Sequence, residues 1–256
     1  MGLFLLTAIL LLCFMSLVFL FALWLQDNSI VDIAYGLGFI LLGSSGSIIY
    51  GHGEPRQLLL LALVSIWGLR LAGHITVRKR NEEGEDPRYR QWRESWGKTF
   101  VWRSYLQIYL LQGTVIYLVA LPLLLVIRAP GGPLGWLDLL GVLIWLFGFV
   151  FETVGDWQKL QFKRDPENRH RIMRYGLWRF TRHPNYFGEA TLWWGIFLIA
   201  LGAPFGWLAI SRPLLIAFLL LKVSGIPMLE ERYEGNPEFA AYQQRTNAFF
   251  PWFPKS

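Results

Sequence analysis

Apolar residues in this chain come in long runs, separated by short polar or strongly basic segments. Seven runs are candidate spans: Gly2–Leu25, Ile30–Tyr50, Leu58–Val77, Leu106–Ile127, Trp136–Val154, Tyr186–Ala203 and Trp207–Leu229. Roughly 20 mostly apolar residues cross a bilayer as helix. Helix is the expected form because a lipid-exposed backbone must satisfy its own hydrogen bonds. The ten-residue alternation of a membrane β-barrel does not occur. Only Gln26–Asp27–Asn28–Ser29 separates the first two runs, so they are expected as a tight helical hairpin. The fold class that follows is all-α: one polytopic integral membrane domain over residues 1–256, with seven transmembrane helices and no separate soluble domain.

Composition supports this reading. Hydrophobic residues make up 54% and charged residues 16%, against about 25% charged in soluble chains. The net charge of +6 would raise nucleic acid as a partner in a soluble protein; here it reads as a topology signal, and no nucleic acid is expected. Arg78, Lys79, Arg80, Arg88, Arg90, Arg93, Lys98 and Arg103 lie between the third and fourth runs. Lys159, Lys163, Arg164, Arg169, Arg171, Arg174, Arg179 and Arg182 lie between the fifth and sixth. The opposite connections and adjoining helix ends hold Arg56, Arg128 and Arg212. Basic loops stay in the cytoplasm, which places the N-terminus outside and the C-terminus inside. Cys13, the single cysteine, excludes an intrachain disulfide. The first run lacks a basic leader and is too long for a simple signal peptide, so it is expected to be retained.

Ionisable residues inside spans are costly and mark function by default. Asp32 and Tyr35 share a face near the start of the second run. Arg70, His74 and Arg78 recur every four residues on the third, and Glu152 and Asp156 do so at the end of the fifth. Glu189 opens the sixth and Lys222 lies in the seventh. All fall in the cytoplasmic half and are expected to line one polar cavity. The alternative is internal pairing, such as Asp32 with Arg70, that glues the bundle. The connection KLQFKRDPENRHRIMRYGLWRFTRHPNYFGE is the densest segment. Its Arg and Lys suit phosphates, Gly176 and Pro184 shape the backbone, and Trp178, Phe180 and Tyr186 offer stacking faces. Together these point to a nucleotide-like cofactor, or else to a basic loop resting on anionic lipid. No GxGxxG or Walker sequence is present. His52, His74, His170 and His183 are scattered, so no metal site is expected.

The runs GLWRFTRHPNYFGE, GDWQKLQFKRD and LLKVSGIPMLEERYEGNPEFAAYQQRTNAFFPWFPK, with LQDNSIVDIAYG and IWGLRLAGHITVRKR, resemble the steroid 5α-reductase superfamily, in particular its bacterial membrane branch. The RHPNYFGE element is also similar to isoprenylcysteine carboxyl methyltransferase. The reductase resemblance implies seven helices, NADPH held by cytoplasmic loops and the last helices, and reduction of a carbon–carbon double bond conjugated to a ketone. It divides the domain into substrate-side helices (1–104) and cofactor-binding helices (105–256). By position, Arg78, Asp156, Lys163, Arg171, Asn185 and Glu189 match cofactor contacts. His170, Tyr186 and Lys222 match such contacts less closely, and Glu152 stands where the steroid enzymes have Asn. Arg179, Arg182 and His183, in the same segment, are expected cofactor contacts too. Gln26–Asp27 resembles a Gln–Glu pair whose acid helps bind the substrate ketone. His74 matches a family histidine, but the catalytic Tyr that should follow it is Ile75 here. Either another donor, Tyr35 or Asp32, takes its place or the chemistry differs.

The expected function is therefore NADPH-dependent hydride transfer to an apolar enone, such as a 3-oxo-Δ4 steroid, entering from the lipid. The developing enolate needs a hydrogen-bond donor, and Asp27 or Asp32, protonated through burial, or Tyr35 would provide it. A monomer in the bacterial inner membrane, with its cofactor side facing the cytoplasm and membrane lipids as surroundings, is the expected setting. The rivals are an S-adenosylmethionine-dependent membrane methyltransferase, for which Glu230–Glu231 also speak, and a lipid-binding or transport protein.

Overall fold

The computed structural model describes residues 2–80, 84–129, 132–168, 171–223 and 225–255, apart from the side chain of Pro122. Every regular element among them is helical. Among the described residues, six helical stretches are long and apolar enough to cross a membrane: Leu3–Leu25, Ile30–Tyr50, Pro55–Arg80, Pro87–Leu121, Trp136–Arg164 and Gly206–Glu231. The sixth expected run corresponds to a shorter helix, Pro184–Ala200, of 17 residues, or about 25 Å at 1.5 Å per residue. In the apolar windows of the first and fifth of these stretches only 28% of residues are buried. A soluble protein could not leave so much apolar surface uncovered, so the chain is a helical membrane protein.

The chain packs as two compact units, residues 1–134 with 203–206, and residues 135–202 with 207–256. The division falls after Leu134, beyond the expected boundary at 104/105.

In the first unit, α1 (Leu3–Leu25) ends at Gln26, whose left-handed conformation (φ 55°) reverses the chain. The Asp27 N–H returns to the Ala22 carbonyl at 2.9 Å, and α2 (Ile30–Tyr50) follows at once, as the hairpin reading expected. α2 packs on α1, on α3 (Pro55–Arg80) and on α6 (Leu111–Arg128). It meets α3 backbone to backbone: a Cβ on Gly36 would lie 2.5 Å from the Gly68 carbonyl oxygen. Trp67, Phe39, Leu42, Leu60 and Ile116 are fully enclosed there. α4 (Pro87–Trp96) begins at Asp86, whose carboxylate accepts from the Arg88 N–H. α5 (Phe100–Ser104) runs through a π-helical turn, Tyr105–Leu110, into α6.

In the second unit, α7 (Trp136–Arg164) and α8 (Pro184–Ala200) form the main pair. Gly141, Gly148 and Gly155 recur every seven residues on α7, and Gly188 and Gly195 do so on α8. The smallest residue at each crossing lets the backbones touch. The run expected over Trp207–Leu229 lies within the span Gly206–Glu231, which is not one unbroken α-helix but α9 (Ser211–Phe218), a π-helical turn Leu219–Val223 and α10 (Ile226–Glu231). The reason is Pro227, which lacks an N–H and whose ring conflicts with the carbonyl four residues back, that of Val223. α11 (Pro237–Arg245) starts at Asn236, whose side chain accepts from the Glu238 and Phe239 N–H groups.

Candidate functional site

In the first unit, the polar positions gather where α4 lies across the α1–α2 turn. Asp27 is paired with Lys79 and accepts from the Ser29 hydroxyl at 2.5 Å and the Ser29 N–H at 2.9 Å. Asp32 accepts from Tyr89 Oη at 2.7 Å and Arg88 Nη2 at 2.8 Å. Glu85 accepts from the Asn28 N–H at 2.8 Å and from both ends of the Arg93 fork, at 2.8 and 2.9 Å. Tyr109 Oη closes the group by donating to Asn28 Oδ1 at 3.1 Å.

The Asp27 carboxyl does not fit the expected role of a neutral donor. Burial alone would raise it, but the hydrogen bonds from Lys79 and Ser29 and the Lys79 charge outweigh burial and hold it below the ordinary carboxylate value. Asp27 is an ionised anchor, and Lys79 is the neighbour the sequence reading had not weighed. Asp32 likewise accepts hydrogen bonds, from Arg88 and Tyr89 on α4. Tyr35, half-buried, packs against Phe39 and Trp67 at centroid distances of 5.2 and 6.3 Å. His74 and Arg78 lie one turn apart and half-buried on α3, and Arg78 Nε has no hydrogen-bond partner among the described residues. Ile75 is buried.

In the second unit, Glu152 and Asp156 lie one turn apart and buried on α7. The start of α8 presses on this turn: a Cβ on Gly188 would lie 2.4 Å from the Glu152 nitrogen, and one on Gly155 would lie 3.2 Å from the Asn185 nitrogen. Two acceptors are left over there. Asn185 Oδ1 and His183 Nδ1 are buried without a hydrogen-bond partner among the described residues. The His183 ring stacks on Tyr186, with centroids 5.4 Å apart and planes 7° from parallel. Its Nε2 lies 2.9 Å from Glu230 Oε1. A carboxylate accepts only, so Nε2 carries the proton and Nδ1 is an acceptor. Burial lowers the His183 pKa, with Lys159 and Arg182 adding to the effect, and together they outweigh the opposing pull of Glu230.

Glu230, weighed in the sequence only as part of the Glu230–Glu231 pair, is the hub of this region. It accepts from Arg182 Nε at 2.8 Å and Nη2 at 3.0 Å, from His183, and from Gln243 Nε2 at 2.8 Å. Arg182 Nη1 also donates to the carbonyls of Thr246 at 2.5 Å and Gln243 at 3.3 Å. Arg182, expected among the cofactor cations, is therefore a fastener for the C-terminal segment. Arg182 N–H to the Asn247 carbonyl and Trp252 N–H to the Phe180 carbonyl, each 2.9 Å, complete the seam. Trp178 Nε1 ties this segment to α7 through the Gly155 carbonyl at 3.0 Å.

Lys163, Arg171 and Arg179 are different: all three are exposed and in no ion pair among the described residues. Lys222 is exposed on the π-helical turn, and Glu189 is half-buried one turn beyond Asn185. His170 lies outside the described residues.

Comparison with known proteins adds the family frame. A family model described as a protein of unknown function, DUF1295, matches residues 18–246. An uncharacterized protein of Schizosaccharomyces pombe is 24% identical over 267 aligned positions, covering 89% of this chain and 74% of the yeast protein.

Proposed function

The chain belongs to the DUF1295 family, and we propose that this member is an NADPH-dependent membrane oxidoreductase reducing the C=C bond of an apolar α,β-unsaturated ketone, as its resemblance to the steroid 5α-reductases implies. In this reading α8 is a seventh span, the N-terminus is outside, and the cofactor faces the cytoplasm of the bacterial inner membrane. One observation carries the reading. Among the described residues, the second unit holds two buried acceptors without a hydrogen-bond partner, His183 Nδ1 and Asn185 Oδ1, and exposed cations in no ion pair that include Lys163, Arg171 and Arg179. A nicotinamide carboxamide brings N–H donors and a dinucleotide brings phosphates, so one cofactor answers both needs.

A bound NADPH would supply the hydride for the β-carbon of the enone and leave as NADP⁺, with a proton from water completing the α-carbon. Lys163, Arg171 and Arg179 would neutralise its phosphates, with Arg available for bidentate contact. Asn185 and His183 would accept from the nicotinamide end, and the buried Glu152 and Asp156, with Glu189 and Tyr186, would complete the polar face. Negative charge on the ketone oxygen requires a donor. Tyr35 and His74 carry protons suited to that task, and Asp27 and Asp32 orient Lys79, Arg88 and Tyr89. The methyltransferase alternative gives the three cations no partner, because S-adenosylmethionine has no phosphate.

Thermal unfolding of the purified protein with each cofactor tests the proposal. A ligand that binds the native state at about 100 times its Kd stabilises it by about 2.7 kcal/mol. NADPH is expected to raise the unfolding temperature and S-adenosylmethionine to leave it unchanged. Stabilisation by S-adenosylmethionine alone would overturn the reductase reading, and stabilisation by neither would favour a lipid-binding protein.

A further inference from the structure

Three arginines in the second unit line one pocket: Arg179, already proposed as a phosphate contact, and Arg174 and Arg245, to which the proposed reaction gives no role. The pocket has a volume of about 370 Å³ and is lined by Arg174, Arg179, Arg245, Tyr242, Thr246 and Pro254, among others. Its only acidic neighbour among the described ion pairs is Glu238, whose Oε1 lies 3.7 Å from Arg174 Nη1. Arg179 and Arg245 make no ion pair among the described residues. The pocket is therefore a concave surface carrying net positive charge.

The walls are fixed by bonds that do not involve the guanidinium groups. Tyr242, buried with Ile172 and Phe239, donates its hydroxyl to the Trp178 carbonyl. Thr246 Oγ1 donates to the Arg179 carbonyl at 3.4 Å, and the Lys255 N–H donates to the Arg245 carbonyl at 2.9 Å. The pocket lies at the C-terminal end of α11, where free carbonyls would repel an anion. Three of the last four carbonyls of α11 are occupied. Arg182 Nη1 donates to the Gln243 and Thr246 oxygens, Lys255 to that of Arg245, and the Thr246 N–H to that of Tyr242 at 3.0 Å. The fold thus covers the negative end of the helix and presents the arginine forks.

We propose that this pocket binds a phosphate group. The guanidinium fork matches phosphate oxygens bidentately, and three forks around one concavity suit a dianion better than a carboxylate. Two sources share this chemistry, a ribose phosphate of a soluble nucleotide and the headgroup of an anionic lipid. The proposal stands whether or not the protein is a reductase.

The test uses the full chain in phosphatidylcholine nanodiscs. One arm titrates adenosine 2′-monophosphate against adenosine, and the other compares discs with and without phosphatidic acid, both read as binding and as a shift in unfolding temperature. The double variant Arg174→Gln/Arg245→Gln is measured alongside. At least one phosphate-bearing probe should bind better than its phosphate-free counterpart, and the double variant should weaken that binding roughly tenfold or more. Either single variant should give part of the loss. The unliganded unfolding temperature of the variants should match the wild type, since both side chains are exposed. Preference in the first arm assigns a nucleotide phosphate, and preference in the second a lipid headgroup. Equal binding of the paired probes in both arms, or undiminished binding by the folded double variant, overturns the proposal.

Discussion

Glu230→Ala is expected to destabilise the protein by about 3 to 5 kcal/mol, the usual result of stripping one partner from a buried ion pair. Arg182 and Glu230 side chains are only 10% and 15% exposed, and the pair is bidentate. Without the carboxylate, a guanidinium stays buried with its charge uncompensated, and His183 and Gln243 lose their acceptor as well. Arg182 also holds the Thr246 and Gln243 carbonyls, so the loss should spread to the segment after α11. Limited proteolysis would show earlier cleavage after Pro237, and thermal unfolding in detergent would give the magnitude. Glu230→Gln keeps one acceptor oxygen and should fall between wild type and alanine. An alanine variant as stable as wild type would mean that the seam is held by its backbone hydrogen bonds alone.

The second large effect is expected at the α7–α8 crossing. A Cβ on Gly148 would lie 2.5 Å from the Leu192 nitrogen and 2.6 Å from the Gly188 carbonyl oxygen. Both are backbone atoms inside helices and cannot rotate aside. Adding one carbon to a packed core costs about 1 to 3 kcal/mol when side chains can adjust. Gly148→Ala is expected at or beyond the top of that range, and Gly148→Leu is expected to prevent folding. The internal control is Gly73, on α3, where an added Cβ meets nothing within 4 Å. Gly73→Ala should be tolerated or stabilising by about 0.5 to 1 kcal/mol, because alanine favours helix. Thermal unfolding and recovery of folded protein after solubilisation separate these cases. Equal tolerance at both positions would contradict backbone contact between α7 and α8.

The apolar runs were legible because bilayer length and helix rise leave little choice, and the tight Gln26–Ser29 turn followed from its shortness. The break at Leu219–Val223 was less legible, since it depends on a proline in an otherwise apolar run. The α7 and α8 glycines are visible at intervals of seven, but the sequence does not say which helix they meet. The site was legible only by residue type. Arg182, Arg171 and Arg179 look alike in a basic run; their roles separate through Glu230, 48 positions away from Arg182. In the same way Lys79 makes Asp27 an ionised anchor, a pairing that no local spacing reveals. Tyr89, which binds Asp32, lies in a segment that read simply as a basic loop.

The most direct test of the proposed activity is transfer of label. The protein in proteoliposomes would receive NADPH deuterated at both positions of nicotinamide C4, with an apolar cyclic enone dissolved in the lipid. Mass spectrometry and NMR of the extracted product would then locate the label. The account predicts a saturated ketone carrying one deuterium at the former β-carbon, formed only by the active protein. An enone recovered unchanged from protein that binds NADPH, or a reduced product whose β-carbon holds no deuterium, would contradict it.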